Sequence, residues 1–116
     1  AINYYYNGDT WIMELSFNGS QNTVVKGIDI FDCLRSLRSK LDPKGIKILC
    51  NGARVDAYPS GMLQGSGVPK VYINTMGKTA SFENLVDLFD EAPAGKIGTV
   101  EEQREYHDKW IESLGL

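Results

Sequence analysis

Ile2-Asn3-Tyr4-Tyr5-Tyr6-Asn7-Gly8-Asp9-Thr10-Trp11-Ile12-Met13-Glu14-Leu15-Ser16-Phe17 is the stretch that decides how this chain begins to fold. Two runs rich in aromatic and branched residues, Ile2 to Tyr6 and Thr10 to Phe17, flank Asn7-Gly8-Asp9, which accepts the positive φ of a tight turn. The pattern predicts a β-hairpin. In the second run Trp11, Met13, Leu15 and Phe17 alternate with Ile12, Glu14 and Ser16, so one mostly apolar face turns to a core. Asn18-Gly19-Ser20 breaks that strand, and Val24 and Val25 lie on the approach to the next element.

Outward from the hairpin the period changes. Between Ile28 and Leu41 the apolar residues Ile30, Leu34, Leu37 and Leu41 recur at helical spacing with Arg35, Arg38 and Lys40 between them. Asp29 and Asp32 in the first turns and bases in the last suit the helix dipole, and Pro43 with Gly45 ends the helix. Ile46 to Cys50 reads as a short buried strand and Pro69 to Thr75 as another, separated by a glycine-rich stretch, Asn51 to Val68, without convincing periodicity. So long a loop in a small domain is commonly functional. Ser81 reads as the N-cap of a helix through Phe89. Thr99-Val100-Glu101-Glu102 matches a capping box and opens a helix toward Leu114, with His107, Trp110, Ile111 and Leu114 as its apolar stripe. The resulting expectation is a single α+β domain spanning residues 1–116, of order ββαββαα, in which helices back an antiparallel or mixed four-stranded sheet.

Composition narrows the function classes. The 116 residues suffice for one hydrophobic core, and 42% hydrophobic with 23% charged residues is ordinary for a globular chain. No apolar run approaches the roughly 20 residues needed to cross a bilayer. Residues 1–81 carry nine Lys/Arg against six Asp/Glu, whereas residues 82–116 carry three against nine. An acidic last third disfavours nucleic acid, whose phosphates call for a basic stripe, and favours a basic protein partner. The reading that each such carboxylate merely solvates a helix face is the alternative. Glu101, Glu105, Asp108 and Glu112 follow one another at spacings of four, three and four, which places them along one side of the last helix as a partner-binding surface.

Chemistry-bearing residues concentrate between Cys50 and Met62. Arg54 and Asp56, two apart on an extended segment, share a side and are expected to pair, alone or jointly with Tyr58, bracing the loop; with Tyr58 and Ser60 they also form a candidate ligand-binding set. Cys50 as a nucleophile would need a base, and His107 is the only histidine; its neighbours Trp110 and Ile111 favour a packed ring over a catalytic one. Cys33 and Cys50 read as buried free thiols, with a disulfide between them as the alternative. Gly61 to Gly67 lacks the Lys-Ser/Thr of a phosphate loop, and one histidine with two separated cysteines makes no closed metal-ligand set. No metal or cofactor is expected.

The run from Leu49 to Met62, LCNGARVDAYPSGM, followed by a glycine-rich turn and the strand KVYI, resembles a family of small bacterial proteins that share a CNGAR-x-D-x-YPSGM signature. The later LVDLFD and EEQREYHDKWIESL resemble the same family, so the likeness covers nearly the whole chain. It implies an immunity-type protein of a bacterial toxin system such as contact-dependent growth inhibition, cytoplasmic and without catalysis, that binds and neutralises a cognate toxin domain. Two readings of other classes stand beside it: a module that holds a small ligand with the Asn51 to Val68 loop, and a Cys/His enzyme.

Overall fold

A hairpin extended by a third strand opens the molecule. The computed structural model describes residues 1–16 and 22–115. β1 (Ile2–Tyr6) and β2 (Trp11–Leu15) pair in antiparallel register, Ile2 opposite Leu15 and Tyr6 opposite Trp11. The Asn7 side chain accepts from the backbone N–H of Asp9 and of Thr10, and Gly8 takes a φ of 94°, so the turn closes as its residue types require. β3 (Thr23–Gly27) runs antiparallel to β2 and contains Val24 and Val25, which makes a strand of what the sequence leaves as an approach segment. The expected break at Asn18-Gly19-Ser20, and Phe17 beside it, lie outside the described residues.

α1 (Ile30–Leu41) follows at once, capped by Asp29, whose carboxylate accepts from the N–H of Asp32 at 2.7 Å. Its buried stripe of Ile30, Phe31, Cys33, Leu34, Leu37 and Leu41 meets Met13, Leu15 and Val25 of the first sheet on one side. On the other it meets Cys50, Ala53, Ala57, Val71 and Leu88. Gly52 permits that second contact: a Cβ there would stand 2.7 Å from side-chain carbons of both Leu34 and Leu88.

The second half departs from the expected plan. In place of one four-stranded sheet, the described residues form two three-stranded antiparallel sheets, β1-β2-β3 and β4-β5-β6, with β4 at Ala57–Tyr58, β5 at Lys70–Ile73 and β6 at Leu85–Asp87. The order is βββαβββα. Ile46 to Cys50 keeps the alternation of a strand, but its ladder is a single bridge from Cys50 to Glu91. The Ser81 to Phe89 helix is absent. Ser81 does cap, but it caps a 3-10 turn over Phe82–Asn84, after which Leu85–Asp87 pairs with β5, placing Val86 opposite Val71. The apolar run there is too short to fill two helical turns, and a sheet edge offered its backbone better partners. The stretch from Asn51 to Val68 is likewise not structureless, since it holds a 3-10 turn over Asn51–Ala53 as well as β4.

α2 (Val100–Ser113) begins with the capping box read from the sequence: Thr99 Oγ1 accepts from the N–H of Glu102 at 3.1 Å, and the Glu102 carboxylate accepts from the N–H of Thr99 at 2.8 Å. Those bonds hold the Glu102 carboxyl below its ordinary range. The face turned inward carries Gln103, Tyr106, His107 and Trp110. Ile111, expected within the stripe, is 44% exposed.

Candidate functional site

Arg54 and Asp56 form the pair that their spacing predicts. Arg54 Nε donates to Asp56 Oδ1 at 2.8 Å and Nη2 to Oδ2 at 2.9 Å, a two-pronged ion pair that is largely buried. The carboxylate raises the guanidinium pKa further. The surrounding backbone is fixed on both sides, with Val55 N–H donating to Lys96 O and Asn74 N–H to Asp56 O. Tyr58 does not join them. Its hydroxyl accepts from Arg35 Nη1 of α1 at 3.0 Å, and its ring lies edge-on to Phe31. Ser60 serves the turn that follows, its Oγ accepting from the N–H of Leu63 at 3.3 Å. The four residues named together from sequence thus divide into a bracing pair and a separate Tyr58–Ser60 set.

The thiols are core atoms. Cys33 and Cys50 are both buried and free. Burial pushes the Cys33 thiol up to about 11, with Asp32 and Asp29 adding to the shift, and burial raises Cys50 as well. Among the described residues no group of three His, Cys, Asp or Glu side chains converges to hold a metal ion, and no helix is long and apolar enough to cross a membrane. The glycine-rich turn directs one of its N–H groups onto an acid: Gly65 N–H donates to Asp29 Oδ2 at 2.8 Å.

Glu101, Glu105, Asp108 and Glu112 are all exposed on α2. At 3.6 residues per turn they fall within an arc of about 60°, nearly opposite the inward face, and Arg104 and Lys109 flank them. None of the three ion pairs found among the described residues, Arg35–Asp32, Arg54–Asp56 and Lys70–Asp87, engages any of the four.

The inward side of α2 meets the long loop at a pocket. Its lining brings Tyr58, Pro59, Ser60, Gly61 and Gln64 of the long loop together with Tyr72, Asn74, His107, Trp110 and Ile111 around a volume of about 280 Å³. The His107 ring lies on Tyr58 with centroids 3.7 Å apart and planes 9° from parallel, and Trp110 continues the stack at 5.8 Å. Tyr106 Oη donates to Asn74 O and Trp110 Nε1 to Lys78 O, which pins the helix over the pocket. Burial pushes the His107 pKa down from its ordinary value, with Asp108 opposing. Asn74 is 6% exposed. Its Oδ1 and the Nδ1 of His107 are buried, and among the described residues no group bonds to either. Leaving such atoms unpaired costs about 1–3 kcal/mol each. Tyr58 and Ser60 of this lining belong to the ligand-binding set read from sequence, whereas nothing local brings Asn74, His107 and Trp110 to them.

No protein-family model matches the chain, and a search of curated proteins finds no significant relative.

Proposed function

We propose that this chain is an immunity-type protein of a bacterial toxin system, which binds a basic cognate toxin domain in the cytoplasm and neutralises it by covering its working surface, without catalysis. The observation that carries the reading is the acidic side of α2, where Glu101, Glu105, Asp108 and Glu112 stand exposed and outside every ion pair found among the described residues. The opposite side of the helix is fixed by Gln103, Tyr106 and Trp110. A charged face on a pre-positioned helix steers a partner of opposite sign and needs little ordering on binding. Both thiols being buried with raised pKa values supports binding over cysteine chemistry.

The reading predicts that the gene directly upstream encodes a toxin domain, and the binding test uses the domain found there. Stopped-flow association should be fast at low salt and slow as salt rises, because exposed charges are screened over about 8 Å at physiological ionic strength. The E105K/D108K double variant should associate at least tenfold more slowly at low salt while its melting temperature stays within about 3 °C of the wild type. Absence of any complex with that domain would overturn the immunity reading. A complex formed at the wild-type rate by the reversed variant would remove α2 from the interface.

A further inference from the structure

Both buried side-chain atoms that lack a hydrogen-bond partner among the described residues, Asn74 Oδ1 and His107 Nδ1, belong to residues lining one pocket. That coincidence is not what a pocket formed by chance between packed elements would give, since buried polar atoms are paired as a rule. The lining also has a definite chemistry. Tyr58, Tyr72, His107 and Trp110 are flat rings, three of them in a near-parallel stack, and no Asp, Glu, Lys or Arg side chain contributes. A lining rich in aromatic rings favours an aromatic occupant, which gains from edge-to-face and offset contacts. An ionised occupant would lose its hydration and find no counter-charge. At about 280 Å³ the space lies at the small end of ligand sites, enough for one or two fused rings and too little for a nucleotide.

We propose that this pocket binds a small, neutral, planar heteroaromatic molecule that donates a ring N–H to Asn74 Oδ1 and meets the imidazole of His107 with its second polar edge. Both protein atoms are buried, so the ligand enters by turning the His107 imidazole aside. Ile111, 44% exposed, stands at the mouth, beside Gly61, where a Cβ would meet nothing within 4 Å. The neighbouring loop therefore has room to yield. The site stands apart from the acidic side of α2 and does not rest on the toxin-binding reading.

Indole and 1-methylindole separate the stacking contribution from the hydrogen bond. In a nuclear magnetic resonance titration of the full chain, indole should shift the Trp110 side-chain N–H and the backbone amides of Tyr58, Ser60 and Asn74 saturably. It should bind roughly three- to tenfold more tightly than 1-methylindole, the factor that one hydrogen bond contributes. Asn74→Leu should bring the two affinities together. Shifts confined to other residues, no saturable shift with indole, or equal affinities for the two probes in the wild type would each overturn the proposal. So would a preference for indole that survives Asn74→Leu. The wild-type comparison decides the matter without the variant.

Discussion

Arg54 and Asp56 are held by two short hydrogen bonds in a largely buried setting, with the backbone of Val55 between them bonded to Lys96 and that of Asp56 to Asn74. Screening by solvent is weak at such a site, so the pair contributes more than a surface ion pair would. Arg54→Gln and Asp56→Asn should therefore be non-additive, with a coupling of about 1 kcal/mol or more in a double-mutant cycle read by urea denaturation. A coupling near zero would mean that each side chain is held by its other neighbours. The pairing was legible because residues two apart on extended backbone share a side. Tyr58 shares that side by the same rule, yet its hydroxyl goes to Arg35, because α1 packs close to β4 and offers a donor that the local sequence does not show.

At the scale of an element, α2 has two faces with separate duties, and its pH response belongs to the inner one. Burial depresses the His107 pKa below its ordinary 6.5. The unfolded chain then takes up the proton more readily than the folded one, so the stability that the neutral ring contributes is present above pH 6.5 and is lost as the pH falls below it. His107→Phe keeps a flat ring on Tyr58 and removes the ionisation. Between about pH 7 and about pH 5 the wild type should lose stability faster than this variant, seen as a steeper fall of the urea midpoint. Parallel curves would assign the acid response to carboxylates elsewhere. The helix itself was legible to the residue at its start, because a capping box is a local pattern. Its inner face is less legible: Gln103, 1% exposed, is polar and falls outside any apolar stripe, while Ile111 fits the stripe and is 44% exposed. Hydrophobic periodicity sees only apolar residues, and here the buried position is one whose amide is needed.

In the whole molecule two small sheets share one helix, and a polar knot fastens the result. Arg38 of α1 is 3% exposed and donates to Gln103 Oε1 and Gly98 O, both at 2.7 Å, and to Ala53 O at 3.3 Å. Gln103 Nε2 in turn donates to Gly52 O and Arg54 O. Arg38→Met keeps much of the volume but strips the donors from several buried acceptors, so it should cost roughly 3 kcal/mol or more in chemical denaturation. A loss below about 1 kcal/mol would show that the carbonyls find other partners. The α+β class, the opening hairpin and both helices follow from local periodicity. The division into two sheets does not, because it turns on which edge Leu85–Asp87 joins, a choice made by Val71 and Leu88 meeting the far side of α1 rather than by the run itself.

The acceptors at Gly98 and Gln103 follow Arg38 by 60 and 65 residues. A ribosome adds about 5–20 residues per second, so during synthesis the first helix waits roughly 3–13 s before the two closest acceptors of its interior guanidinium exist. Throughout that interval the side of α1 bearing Arg38 has to stay hydrated, and the first sheet with its helix is a provisional structure with one wet face. The seal on the core is therefore set late in synthesis, by a glutamine and a glycine carbonyl.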